Sequence, residues 1–198
     1  MPHQICKTIY NFDELSDAAI VRAREWYREG GLEYEWWDDT FADAKICLAF
    51  LGFEITNIFF SGFASQGDGA CFEGRWRAVD VKTVKAMKKH APQDITLHVL
   101  ASTFRKLSKS YPGAAFSVKH HGHYSHEFCT AFTFDDEGLP DYVKDGPEDQ
   151  LTDAARDAMC WIYRQLEQEY DYLTSDEQVD ETIRANEYEF TEDGRRAR

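Results

Sequence analysis

An α+β domain is predicted, with an antiparallel sheet built from two hairpins and helices packed mainly on one face. Two observations carry this. Four short strand-like apolar runs, three of them alternating at a period of two, pair off around two polar turns. The remaining apolar residues recur at helical spacing in segments with their own start and stop signals. Runs of strands and helices that do not alternate strictly point to an antiparallel sheet with segregated helices.

The first hairpin pairs Ile55–Phe60 with Ala70–Val79. Phe72, Trp76 and Ala78 are expected on the core face, and Cys71, Glu73, Arg75 and Arg77 on the other, because strand side chains alternate. The second hairpin pairs Ala115–His120 with Phe128–Phe134, with Phe116, Val118, Phe128, Phe132 and Phe134 inward. Gln4–Asn11 and Glu187–Thr191 alternate more weakly and read as outer strands.

Ser16 stands as an N-cap, with Leu15 and Ile20 placed as a hydrophobic staple, and the helix it opens ends at Gly30-Gly31. A second helix is expected from Glu33 to Leu51, with Trp36, Trp37, Phe41, Ala44 and Leu48 as its apolar stripe. Asp80 is positioned to cap a lysine-rich third helix that stops at Ala91-Pro92. Asp94–Ser110 follows, with Leu97, Leu100, Ala101, Phe104 and Leu107 inward. Asp135–Gly146 reads as an acidic loop. Pro147 then opens a long amphipathic helix to Leu173, and Ser175 caps a last helix over Asp176–Ala185. The length suits one domain, 1–194, with residues 195–198 as a frayed tail.

Composition narrows function. The net charge is −14, yet Arg75–His120 holds ten Lys/Arg against two Asp, so the acid is concentrated elsewhere, mostly in Asp135–Asp193. Such a surface disfavours direct binding to nucleic-acid phosphates and suits a basic partner protein, including a nucleic-acid-handling complex. No run approaches the roughly 20 apolar residues a membrane span needs. Five separated cysteines without a Cys-x-x-Cys read as reduced thiols of a cytoplasmic protein.

The two hairpin turns hold the chemistry. Ser61–Gly74 supplies Ser65, Gln66, Asp68, Cys71 and Glu73, Arg75 follows on the strand that leaves it, and Lys119–Glu127 supplies His120, His121, His123, Tyr124, His126 and Glu127. The two turns are expected to converge, with Ser65, Gln66, Asp68, Cys71, Glu73, Arg75, His121 and Tyr124 as binding residues. Asp68, His123, His126 and Glu127 are the candidates for acid–base work, with Ser65 or Cys71 as nucleophile. His123, His126 and Asp68 are the candidate ligands for a divalent transition metal, although their spacing matches no established ligand signature. Apart from that metal no cofactor is implied. The glycine-rich loop lacks the Lys-Ser/Thr of a P-loop and is flanked by a hairpin, not by a strand and a helix.

Several motifs resemble a family of phage and prophage proteins often labelled antitoxin of a toxin–antitoxin stability system. They are Lys7-Thr8-Ile9-Tyr10 with Phe12-Asp13-Glu14-Leu15-Ser16, Ser61-Gly62-Phe63 with Ser65–Phe72, His123-Tyr124-Ser125-His126-Glu127, and Ala185–Gly194. The resemblance implies an accessory protein of mobile elements, made inside a bacterial cell, and supplies no catalytic residue. The expectation is a protein that binds and neutralises a host or partner protein, and it favours binding over catalysis. The alternatives are a metal-assisted or acid–base hydrolase acting on a nucleotide or nucleic acid, and a protein that binds a nucleotide signal.

Overall fold

The computed structural model describes residues 8–32, 34–79, 82–135 and 147–197. The expected strand residues before Thr8, Glu33, the Asp80 cap, the acidic loop after Asp135 and Arg198 lie outside them. In chain order the elements are β1 (Tyr10–Asn11), a 3-10 turn (Phe12–Glu14), α1 (Asp17–Gly30), α2 (Asp38–Ala49), β2 (Phe53–Phe60), β3 (Ala70–Arg77), α3 (Lys82–His90), α4 (Ile95–Ser110), β4 (Ala115–His120), β5 (Thr130–Phe134), α5 (Pro147–Leu173), α6 (Asp176–Ala185) and β6 (Glu189–Phe190). No helix among the described residues is long and apolar enough to cross a membrane. The structure divides into two compact units: Asp38–Glu167, and Met1–Trp37 together with Gln168–Arg198.

The larger unit is the predicted α+β arrangement. Its four strands run β2-β3-β4-β5, every neighbour antiparallel. Trp76 pairs with Phe53 on one side and Phe116 on the other, so three large apolar side chains share one face. The Phe53 ring lies 5.2 Å from Phe72 and 5.0 Å from Phe104 of α4, both in edge geometry. Phe72, Trp76, Phe104 and Phe116 are all buried, as are Leu97, Leu100, Ala101 and Leu107 of α4 and Leu151, Ala155, Ala158, Ile162 and Leu166 of α5. The opposite sheet face carries Glu54, Arg75, Arg77, Lys119 and Thr133, all exposed.

Asp94 joins two of these helices by a double role. Its Oδ1 accepts the Leu97 N–H at 2.8 Å, the N-cap of α4, and its Oδ2 accepts the Trp161 indole N–H at 2.7 Å. Trp161 is buried, so its N–H has no recourse to water. Asp94→Ala is expected to cost about 2–4 kcal/mol, the sum of a lost cap and an orphaned indole, and Asp94→Asn much less. Urea unfolding of both variants measures the difference.

Two sequence expectations are corrected here. Phe128, assigned to the core, is 62% exposed, because β5 starts only at Thr130. The chain before it turns: the Cys129 N–H bonds the His126 carbonyl at 2.9 Å and the Thr130 hydroxyl donates to the Glu127 carbonyl at 2.7 Å. Trp36 and Trp37 precede α2, which starts at Asp38, where Asp38 and Asp39 complement the N-terminal dipole. The Trp36 ring instead lies 5.7 Å from Tyr170.

The smaller unit packs Phe12, Leu15, Ala19, Ala23 and Tyr27 against Val179, Ile183 and Phe190. Arg24 grips Asp180 with two bonds of 2.7 and 2.8 Å, which ties α1 to α6. Ser175 caps α6 by accepting the Gln178 N–H, as its position in the sequence predicts. Residues 195–197 are not frayed. The Thr191 N–H donates to the Arg195 carbonyl and the Ala197 N–H to the Glu189 carbonyl, while the Arg196 guanidinium covers the Tyr188 ring at 4.5 Å.

Candidate functional site: two hairpin turns at one end of the sheet

The first turn is braced by its own carboxylate. Asp68 Oδ2 accepts the N–H groups of Ala64 at 2.9 Å and Ser65 at 2.6 Å, and the Asp68 N–H returns to the Ser65 carbonyl. Ser61 N–H to the Gly69 carbonyl closes the loop. From α5, the Tyr163 hydroxyl donates to the Gly62 carbonyl at 3.2 Å.

Imidazoles shape the second turn. His120 Nε2 meets the Tyr124 carbonyl at 2.8 Å, while its ring stacks on Phe59 at 4.3 Å. His126 Nδ1 accepts the Phe128 N–H at 3.2 Å, and its Nε2 lies 3.3 Å from the Cys129 sulfur. The Arg156 guanidinium of α5 stands 4.8 Å over the exposed Phe128 ring.

The turns meet, as expected, and two glycines allow it. A Cβ at Gly67, whose φ is +92°, would sit 2.6 Å from the Tyr124 ring. A Cβ at Gly69 would sit 2.7 Å from the His126 Cα. Between them opens a cavity of about 560 Å³, lined by Gln66, Gly67 and Asp68 from the first turn and by Tyr124, His126, Glu127 and Phe128 from the second.

The other candidates fall elsewhere. Ser65 is exposed and contributes its backbone N–H to Asp68. His123 is exposed and packs edge-on against Tyr124 at 5.7 Å. His121 is exposed, its N–H held by the Cys129 carbonyl. Glu73 is half-buried and accepts the His120 N–H at 3.2 Å. Arg75 stays on the open sheet face, 3.3 Å from Asp135.

Cys71 corrects the expectation of an exposed row. Its parity is right, yet it is fully buried, with Phe59 opposite in register and the His120 ring lying on Phe59. Burial, then the nearby Cys129, Glu73 and Glu127, push its thiol up from about 9 to about 12, so it is not an activated nucleophile. Iodoacetamide at pH 8 is expected to label Cys71 only through unfolding. Prompt labelling, located by mass spectrometry, would contradict its burial. Because the folded value is the higher one, the stability this thiol contributes is complete below pH 9 and is lost as the pH rises through about 12.

Asp68, His123 and His126 do not bring their donor atoms within 4.8 Å of one another. Among the described residues one group brings three donors within 4.8 Å of one another, and it is Asp43, Cys47 and His90. Sequence reasoning missed this group, although the Asp43–Cys47 spacing of four on a helix was a usable signal. It also missed Phe128 and Arg156 as parts of the turn surface.

No curated protein and no solved structure matches the chain. A family model described as a domain of unknown function, DUF8835, matches residues 36–176, which contain the whole larger unit and both turns. The chain belongs to the DUF8835 family.

Proposed function

We propose that the protein is a binding protein that engages a basic partner protein through the two-turn surface. One observation carries this reading. Tyr124 and Phe128 are 53% and 62% exposed beside a cavity lined by the carboxylates Asp68 and Glu127. Large aromatic rings on a pinned backbone give contact area at little entropic cost, which is why such residues dominate interface energetics. Carboxylates beside them select Arg or Lys, and a guanidinium over an aromatic face is already present within the chain in the Arg156–Phe128 pair. The net charge of −14 would speed the approach of a cationic partner.

The hydrolase alternative gains less support. With His126 Nδ1 accepting the Phe128 N–H, the neutral ring carries its hydrogen on Nε2, toward the Cys129 sulfur. That imidazole is not set to take a proton from the thiol. Asp68 spends one oxygen on its own loop. Neutralisation of a host protein inside a bacterial cell, implied by the phage-protein resemblance, is the biological form this binding would take.

Capture from bacterial extract tests the reading. The wild-type chain should retain a basic protein that salt releases, and Tyr124→Ala combined with Phe128→Ala should weaken retention by about 30- to 1,000-fold. Equal retention by the double variant, with the fold intact by circular dichroism, would refute it.

A further inference from the structure

We propose that Asp43, Cys47 and His90 form a binding site for a zinc-class divalent transition ion, which would fasten α2 to the end of α3. Asp43 and Cys47 lie one turn apart on α2, and His90 is the last residue of α3. His90 Nε2 is 3.1 Å from Asp43 Oδ1, and Cys47 Sγ is 3.6 Å from Asp43 Oδ2. One donor atom from each residue lies within 4.8 Å of the other two. Bonds of about 2.0–2.3 Å meeting at tetrahedral angles separate ligand atoms by about 3.3–3.8 Å, so only small adjustments are needed.

The donor chemistry selects the ion. One thiolate, one imidazole and one carboxylate suit Zn²⁺ or Co²⁺ and are poor for Ca²⁺ or Mg²⁺, which take oxygen. Cys47 is buried, whereas the Asp43 and His90 side chains are 60% and 38% exposed. The site therefore has a protected floor and an open side, through which an ion enters and a water completes the fourth position. The Phe50 ring, 5.8 Å from that of His90, limits the orientations of the imidazole. Binding replaces the Cys47 S–H bond by a sulfur–metal bond and releases the proton to solvent. Neither turn of the binding surface contributes a ligand, so the site is independent of the reading given above.

The test is a Co²⁺ titration of the full-length, chelator-treated protein followed by absorbance. The expected result is about one equivalent bound, with a thiolate-to-cobalt charge-transfer band in the near ultraviolet that Zn²⁺ abolishes by displacement. Cys47→Ser should remove the band, His90→Ala should weaken binding at least about tenfold, and Cys71→Ser should change neither. His90 is exposed, so its variant still decides the matter if Cys47→Ser misfolds. Absence of the band at stoichiometric Co²⁺, its persistence in Cys47→Ser, or undiminished affinity in His90→Ala would overturn the proposal.

Discussion

Replacing Trp76 with alanine is expected to lower the unfolding free energy by about 3–5 kcal/mol, the largest single-residue effect in the larger unit. Trp76 is fully buried, stacks on Phe116 at 5.3 Å and touches Phe104 of α4 at 5.8 Å. Its indole N–H donates to the Leu51 carbonyl at 2.8 Å, which secures the chain between α2 and β2. Alanine would leave a cavity beside the Phe104 and Phe116 rings and strand that carbonyl. Trp76→Phe keeps most of the volume and loses the hydrogen bond, so its cost should fall well below that of alanine. Urea denaturation followed by far-ultraviolet circular dichroism compares the two with Phe128→Ala, whose exposed ring should cost within about 0.5 kcal/mol. A Trp76→Ala loss no larger than that of Phe128→Ala would mean the sheet's core face is assigned wrongly.

Gly69→Ala should act on the site more than on the fold. The added methyl would meet the His126 Cα and Cβ at 2.7 Å, and neither atom is the free end of a flexible side chain. The two turns must therefore part, at a cost of about 1–3 kcal/mol. Partner capture should drop about as far as it does in the Tyr124/Phe128 double variant. Gly30→Ala is the contrast: nothing lies within 4 Å of its Cβ, and in a helix the change should stabilise by about 0.5–1 kcal/mol. If Gly69→Ala captures partner normally, the closeness of the turns is irrelevant to binding.

How much of this was legible in the sequence follows from the range of each interaction. Alternation in Ala115–His120, the apolar run Ile55–Phe60 and the caps Asp94 and Ser175 are local signals, and the structure agrees with them, although the pairing of β2 with β3 shifts register between Ile55 and Asn57. The meeting of the turns was inferred from their shared setting between strand pairs, and Gly67 and Gly69 supply the clearance it requires. Parity placed Cys71 on the correct face but could not say what covers that face near the turns. Phe128 continued the alternation, and only the hydrogen bonds around His126 and Cys129 take it out of the strand. His90 joins Asp43 and Cys47 across forty-odd residues of chain, so no sequence window contains the group. Division into two units was equally hidden, because residues before Asp38 pack with residues after Glu167.

The most direct measurement is photo-crosslinking from single positions in cells that contain the partner. A benzophenone amino acid at position 124 or 128 should join the protein to a basic partner. The same probe at Ile46 or Val99, exposed apolar residues away from both turns in the sequence, should not. Crosslinks formed from 46 or 99 and absent from 124 and 128 would contradict the account and move the binding face elsewhere.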